Sequence, residues 1–430
     1  MRFDFSYPVV LRYIVMTAPA TKEKTPRQIW GLHPNVFFLG VVSLFTDVSS
    51  EMIFTLVPLF VKNVLGGGGI IVGLIGGLSE SFDAIFRIFS GRISDRFRQR
   101  KILAVIGYGF STIVKPFMLL ATAWGGVLGV RFGDRIGKGI RSSPRDALIA
   151  DSVTAETRGK SFGIHRAMDT SGAVLGLAAA AIIIYFLQGS GLNLTNDTYR
   201  WLVIIGIIPA VLAVIVLIGL VHEKRLPSAA TSKASGTAQI QTKQAFSGQF
   251  KLFLLIMGVF TLGNSSDFFI VLRAQDLNVN VLEITIMLVV FNLTYALIAT
   301  PAGIISDKLG RRRVIVIGWT VYALVYLGFA LSTNVWSIWV LFAAYGIYYG
   351  IVEGVAKAFV ADLVPAERRG TAYGYYQTAV GLMLLPASVI AGVLWDKVNT
   401  AAPFYFGAGL AFIAMLGLLL LVKEKRQKLT

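Results

Sequence analysis

The chain has 430 residues, of which 55% are hydrophobic and only 15% charged, against about 25% charged in an ordinary soluble protein. A water-soluble globule with a mean hydropathy of +0.69 would have too little polar surface to cover itself, so soluble enzymes and collagen-like or disordered chains are excluded. The net charge of +17 is spread between the apolar runs, which argues against a nucleic-acid partner, and the absence of cysteine removes disulfides, thiolate metal sites and thiol catalysis together.

Residues 1–34 are polar and basic, with a short apolar stretch from Val9 to Val15 broken by Arg12. They read as a cytoplasmic tail rather than a span or a cleaved leader, and Met16 opens a stretch that also reads as a complete tail. Twelve apolar runs of about 20 residues follow, the length a helix needs to cross the hydrocarbon core. They are predicted at 35–61, 70–90, 102–122, 124–142, 161–187, 201–221, 251–273, 281–301, 314–332, 335–359, 372–395 and 403–422. The stretch 222–250 is rich in Ser, Ala, Thr, Gln and Lys, contains Pro227 and has no apolar period, so it reads as a flexible linker. It separates a first six-helix unit, 35–221, from a second, 251–422, and 423–430 forms a C-terminal tail.

About 30 of the 40 Lys and Arg fall in the two tails and in alternate connections: 91–101, the 143–160 region with Lys138 and Arg141, 222–251, 308–313 and 368–369. The opposite set holds only Lys62, Arg200, Arg273 and Lys397. Cytoplasmic loops carry the excess of Lys and Arg, so both termini are expected in the cytoplasm and the protein in the plasma membrane.

The two halves also repeat. Gly91-Arg-Ile-Ser-Asp95-Arg96 returns as Gly303-Ile-Ile-Ser-Asp307-Lys308. Ala150-Asp151 through Glu156, Arg158 and Gly159 returns as Ala361-Asp362 through Glu367, Arg369 and Gly370 at nearly the same shift. Duplication is the simplest account. A weaker echo pairs Ser49-Ser50-Glu51 with Ser265-Ser266-Asp267.

These motifs resemble the Gly-x-Leu-Ala-Asp-Arg-x-Gly-Arg-Arg loop of the major facilitator superfamily. The second copy, with Gly310, Arg311 and Arg312, fits better than the first, where Arg98 and Gln99 depart. Arg135-Ile-Gly-Lys138-Gly139 is similar to the Arg-x-x-Gln-Gly motif of that family's fourth helix. Gly163, Gly172 and Gly176 have the spacing of its antiporter motif, with Leu177, Ala180 and Ala181 replacing the later Pro and glycines. The resemblance implies an all-α polytopic membrane protein: twelve transmembrane helices in two pseudo-symmetric six-helix bundles around a central cavity. It further implies that the first, fourth, seventh and tenth helices line that cavity and the third, sixth, ninth and twelfth face lipid.

Ionisable residues inside a membrane cost on the order of 2.5–3.5 kcal/mol each at a helix centre and face a cavity or one another. Spans six, nine and twelve have none in their interiors, and span three has Lys115. Spans one, four, seven and ten hold Asp47 and Glu51; Arg131, Asp134, Arg135 and Lys138; Asp267; and Glu353 with Lys357. Asp47 and Glu51 lie one turn apart beyond the midplane, and their mutual repulsion makes them candidates for proton handling. The span-four charges, three, four and seven apart, form one stripe. Glu80, Asp83 and Arg87 form another on span two, equally compatible with a structural ion network. Glu353 with Lys357 reads as an internal pair, Lys115 is expected to meet an acidic neighbour across a helix interface, and Arg166 and Asp169 have similar prospects. Asp95 and Asp307 are expected to gate by bridging to a neighbouring helix end, whereas Arg98, Arg100 and Arg313 are explained by topology alone.

Other signals carry less. Gly133 to Gly139 has the wrong glycine spacing and no Ser or Thr for a phosphate loop, and Gly66 to Gly69 with Gly73 and Gly77 suit close helix packing. His33, His165 and His222 are too dispersed for a metal site, and no cofactor motif or nucleophile with its base is present. The expectation is a monomeric secondary transporter, not an enzyme, that exports a small organic compound by proton antiport. Proton-coupled uptake is the alternative, and a sensor built on a transporter scaffold the remote one. The partners expected are the solute, protons and the bilayer.

Overall fold

The computed structural model describes residues 28–29, 32–97, 100–153, 155–223, 246–365 and 368–422, and within these leaves aside the side chains of 87–97, 155–156, 158–159 and 370. Most of the predicted tails and of the linker lie outside the described residues. Among those described, the first half comprises α1 (Pro34–Phe54), α2 (Val57–Asn63), α3 (Gly69–Phe97), α4 (Arg100–Val114) with a 3-10 turn (Lys115–Leu120), α5 (Trp124–Asp151), α6 (Ala155–Leu187) and α7 (Asn196–Leu220). The second comprises α8 (Gly248–Gly263), α9 (Phe268–Asp276), α10 (Val281–Leu309), α11 (Arg311–Leu331), α12 (Val335–Asp362), α13 (Arg369–Lys397) and α14 (Ala402–Leu421).

Helix starts follow local chemistry. Thr195, Ser247, Asn280 and Asn334 each accept a backbone N–H from three residues on, satisfying a donor that the first turn leaves open. Among the described residues eleven helical segments are long and apolar enough to cross a membrane; α5 is long enough but Arg131, Asp134, Arg135, Lys138 and Arg141 interrupt its 28 residues. With α5 the protein is an all-α polytopic membrane protein of twelve spans in two six-helix bundles.

Two sequence expectations need correction. The helices run further than the apolar runs, to Phe97, Asp151 and Leu309, so the connections predicted at 91–101, 143–160 and 308–313 are largely helical. Polar residues outside the hydrocarbon continue a helix at no solvation cost, and hydropathy cannot see them. At the turn between α10 and α11, Gly310 has φ +93°, a backbone region that favours glycine. Spans one and seven, predicted continuous, are broken instead: α1 gives way to α2 around Thr55 and Leu56, and α8 to α9 across Asn264–Asp267. Irregular backbone at this depth is tolerated where protein or a cavity receives its polar groups, and Tyr322 donates to the Gly263 carbonyl at 3.0 Å.

The duplication reappears as geometry. Arg100 pairs with Asp151, joining α4 to α5, and Arg311 pairs with Asp362 at 3.2 Å, joining α11 to α12. The two pairs are displaced by 211 residues, the shift of the loop repeat. On the outside of the bundle, α4 exposes Ile102, Ile106, Phe110, Ile113 and its continuation Phe117 and Leu120 in one stripe, and α7, α11 and α14 expose comparable apolar faces.

The halves meet along α3 with α13 and α6 with α10. The end carrying the α7–α8 connection is here the linker end, the other the far end. At the far end Asp396 of α13 accepts the Gly69 and Ile70 N–H groups at 2.7 and 2.9 Å, capping α3 across the interface. Glycines make that approach possible: a Cβ on Gly73 would lie 2.2 Å from the Ser388 carbonyl oxygen. Gln275 of α9 also donates to the Leu192 carbonyl at 3.0 Å, tying the α6–α7 connection to the second half.

Candidate functional site

Between the halves lies a cavity of about 230 Å³ lined by α1, α3, α5, α9 and α10 and by Asp267 just before α9. Its wall carries Arg131, Arg135, Lys138 and Arg141 together with Asp47, Glu51, Glu80, Asp134 and Asp267. The stripe read on span four therefore turns inward as a unit, and Asp267 joins it from the second half. Arg141 and Lys138, counted in sequence with the basic connections, lie on the wall because α5 stays helical past them.

Each break in a broken span supplies part of this wall. Thr55, where α1 ends, donates to Glu51. Asp267, at the start of α9, accepts from Tyr345 at 2.7 Å and from Tyr349 at 3.4 Å on Oδ1 and 3.3 Å on Oδ2. Ser111 donates to Asp134. Lys115, buried in span three, donates to Ser49 and Ser50 at 2.7 and 3.2 Å, so its direct partners are two hydroxyls where sequence suggested an acid. Arg131 stands over the rings of Phe54 and Phe268, 4.8 and 5.6 Å from their centres.

Asp47 and Glu51 do not act on each other alone. The Asp47 carboxyl lies beside that of Asp169 on α6, and one turn away Ser43 bonds His165 at 3.0 Å. These two rungs exist because α1 and α6 run side by side with backbones almost in contact. A Cβ on Gly172 would fall 2.4 Å from the Leu44 carbonyl oxygen, and one on Gly176 2.6 Å from that of Val48. Gly163 has open space around it. Gly172→Val is accordingly expected to lower folding stability by about 1–3 kcal/mol, since backbone must move to admit it; a thermal midpoint in detergent measures this, with Gly163→Val close to wild type.

From the α1–α6 rungs, side chains lead across the interface toward the linker end. Arg166 pairs with Asp169 at 3.2 Å and donates to Tyr295 of α10 at 2.9 Å. It lies 3.5 Å from Glu353 of α12, which also accepts from Tyr295 at 2.7 Å and from Lys357 at 3.0 Å. Glu353 is thus in a cross-half network, outside the cavity lining where span ten was expected to place it. The loop motifs lie apart from the cavity. Asp307 is paired with Arg311 of its own half at 3.4 Å, and Gly303 and Lys308 lie near it on α10. Gly91, Asp95 and Arg96 sit on the last turns of α3, and their side chains, like residues 98 and 99, lie outside the described residues.

Sequence reasoning passed over Tyr295, Tyr345 and Tyr349. Among so many aromatics their hydroxyls are indistinguishable by type; the available signal was the spacing of Tyr345, Tyr348 and Tyr349 on one face of a helix that also holds Glu353.

A duplicated twelve-span bundle enclosing a charged cavity at its central interface defines a membrane transporter. The chain belongs to the Major Facilitator Superfamily, whose profile matches residues 39–272 and 252–430, and it is a transporter rather than an enzyme. An uncharacterized MFS-type transporter of Methanocaldococcus jannaschii is 42% identical over 396 residues, 91% of this chain and 95% of that protein. The quinolone resistance protein NorA of Staphylococcus aureus is 22% identical over 188 residues, 44% of this chain and 47% of that one. In fold, the crystal structure of a D-xylose–proton symporter matches with a TM-score of 0.74 at 16% identity, covering 90% of this chain and 97% of that one.

Proposed function

We propose that the protein exports a small organic compound across the plasma membrane in exchange for protons, as a monomer with both termini in the cytoplasm. The observation that carries the proton reading is the Asp47–Asp169 contact, in reach of Arg166, which also touches Glu353 in the other half. Two neighbouring carboxyls repel when both are ionised, and one proton held between them relieves this. When that proton leaves, the charge left behind draws on Arg166, and Arg166 held by Asp169 is less available to Glu353. Proton occupancy and the closeness of the halves are thereby linked, which is what alternating access with coupling requires. Export is favoured by the glycine spacing on α6, which resembles an antiporter motif, and by the similarity to NorA.

Proteoliposomes loaded with acidic buffer test the exchange. A labelled organic solute is expected to accumulate as protons leave. Accumulation driven only by external acid would establish uptake by symport instead, and flux indifferent to either gradient would remove the proton from the mechanism.

A further inference from the structure

We infer that the cavity receives a small amphipathic organic anion, its oxyanion end on Arg131 and Arg135 and its body against Phe268, Val271, Leu288 and Phe291. This rests on the transport reading in that it takes the cavity to be the solute site.

The argument is one of unmet hydrogen-bonding capacity. Arg131 is 2% exposed, and its Nε and Nη1 have no acceptor; Arg135 Nε and Arg141 Nη1 are likewise buried without one. Arginine does not shed its proton to escape this, and a buried charge without partners is costly. The carboxyls around the same cavity mostly have donors: Thr55 for Glu51, Ser111 for Asp134, and Tyr345 with Tyr349 for Asp267, while Asp47 lies beside Asp169. Glu80 is the exception. It stands on the wall without a hydrogen bond or ion pair to either arginine among the described contacts, so it is open to a hydroxyl on the solute. The N–H groups of Arg131, Arg135 and Arg141 named above therefore lack acceptors, and a ligand that brings them satisfies these donors.

Shape and polarity narrow the class. A space of about 230 Å³ holds roughly eight waters at ~30 Å³ each, enough for a small ring or short chain. The second half contributes Phe268, Val271, Leu288 and Phe291 to the lining as its apolar part, beside Asp267 and Asn292. Inorganic phosphate would satisfy the arginines and leave that apolar part against water. A monocarboxylate with a hydrocarbon body satisfies both, and the rings of Phe54 and Phe268 hold Arg131 in place before it arrives.

Equilibrium binding to the purified full-length protein tests this, read as thermal stabilisation over a concentration series. The probes are benzoate, phenylacetate and hexanoate, with benzamide as neutral counterpart, benzylammonium as cation, and phosphate. At least one monocarboxylate is expected to bind about tenfold or more tighter than benzamide, with Arg131→Gln abolishing that preference and Arg131→Lys retaining part of it. Binding of phosphate alone, equal binding of benzamide or benzylammonium, or no carboxylate binding would overturn the inference. If Arg131→Gln does not fold, the wild-type ranking together with Arg135→Gln decides. No gradient enters the measurement, so failed antiport alongside carboxylate binding would count against the proposed coupling and leave the solute class standing.

Discussion

Asp47→Asn and Asp169→Asn should each lower proton-driven accumulation by about tenfold or more, the size of a typical coupling free energy, while solute exchange without a gradient persists. Either substitution preserves shape and hydrogen-bonding capacity at the α1–α6 interface but removes one of the two carboxyls that hold the proton. With Asp169→Asn, Arg166 loses its same-helix acid and is left to Tyr295 and Glu353. The variant should therefore also favour the arrangement seen here, in which the halves are joined through Arg166. Glu51→Gln is expected to do less, because Glu51 is bonded to Thr55 of its own span. Uphill transport at wild-type rates in both Asp variants would make the pair structural and move the proton site to Asp267.

How much of this was legible beforehand follows from the cost of charge in a membrane. Ionisable residues are tolerated at so few places that their positions, sorted onto the helices that the family resemblance placed around a cavity, pointed to α5, Asp47 and Asp267. The duplication was equally plain, because loop motifs survive as letters. Partners across helices were not legible. Asp47 meets Asp169, 122 residues away, only because Gly172 and Gly176 set the register of α6 on α1, and a glycine says that a helix can approach without saying which one. The breaks at Thr55 and at Asn264–Asp267 were hidden for a different reason: an apolar run resumes past each, and hydropathy reports how a residue partitions, not whether its backbone remains helical.

The cross-half network sets the other large expectation. Arg166→Gln should shift the population toward states with separated linker ends by about 5–30-fold, the factor for one to two kcal/mol. It removes the cation shared by Asp169 and Glu353 and the donor to Tyr295, and the contacts to Glu353 and Tyr295 join the halves. Lys357→Gln removes a pair within α12 that is half-exposed, and i,i+4 pairs of that kind contribute only about 0.3–0.5 kcal/mol. The two variants thus discriminate an interface effect from general loss of charge around Glu353. Since the native chain contains no cysteine, spin labels can be placed at Lys160 on α6 and Lys308 on α10 without background, and pulsed distance measurements read the separation directly. A broadened, longer distribution in Arg166→Gln with Lys357→Gln close to wild type is the expected result. Equal shifts in both, or none in Arg166→Gln, would show that the linker ends are held by other contacts and that Arg166 does not connect proton occupancy to the position of the halves.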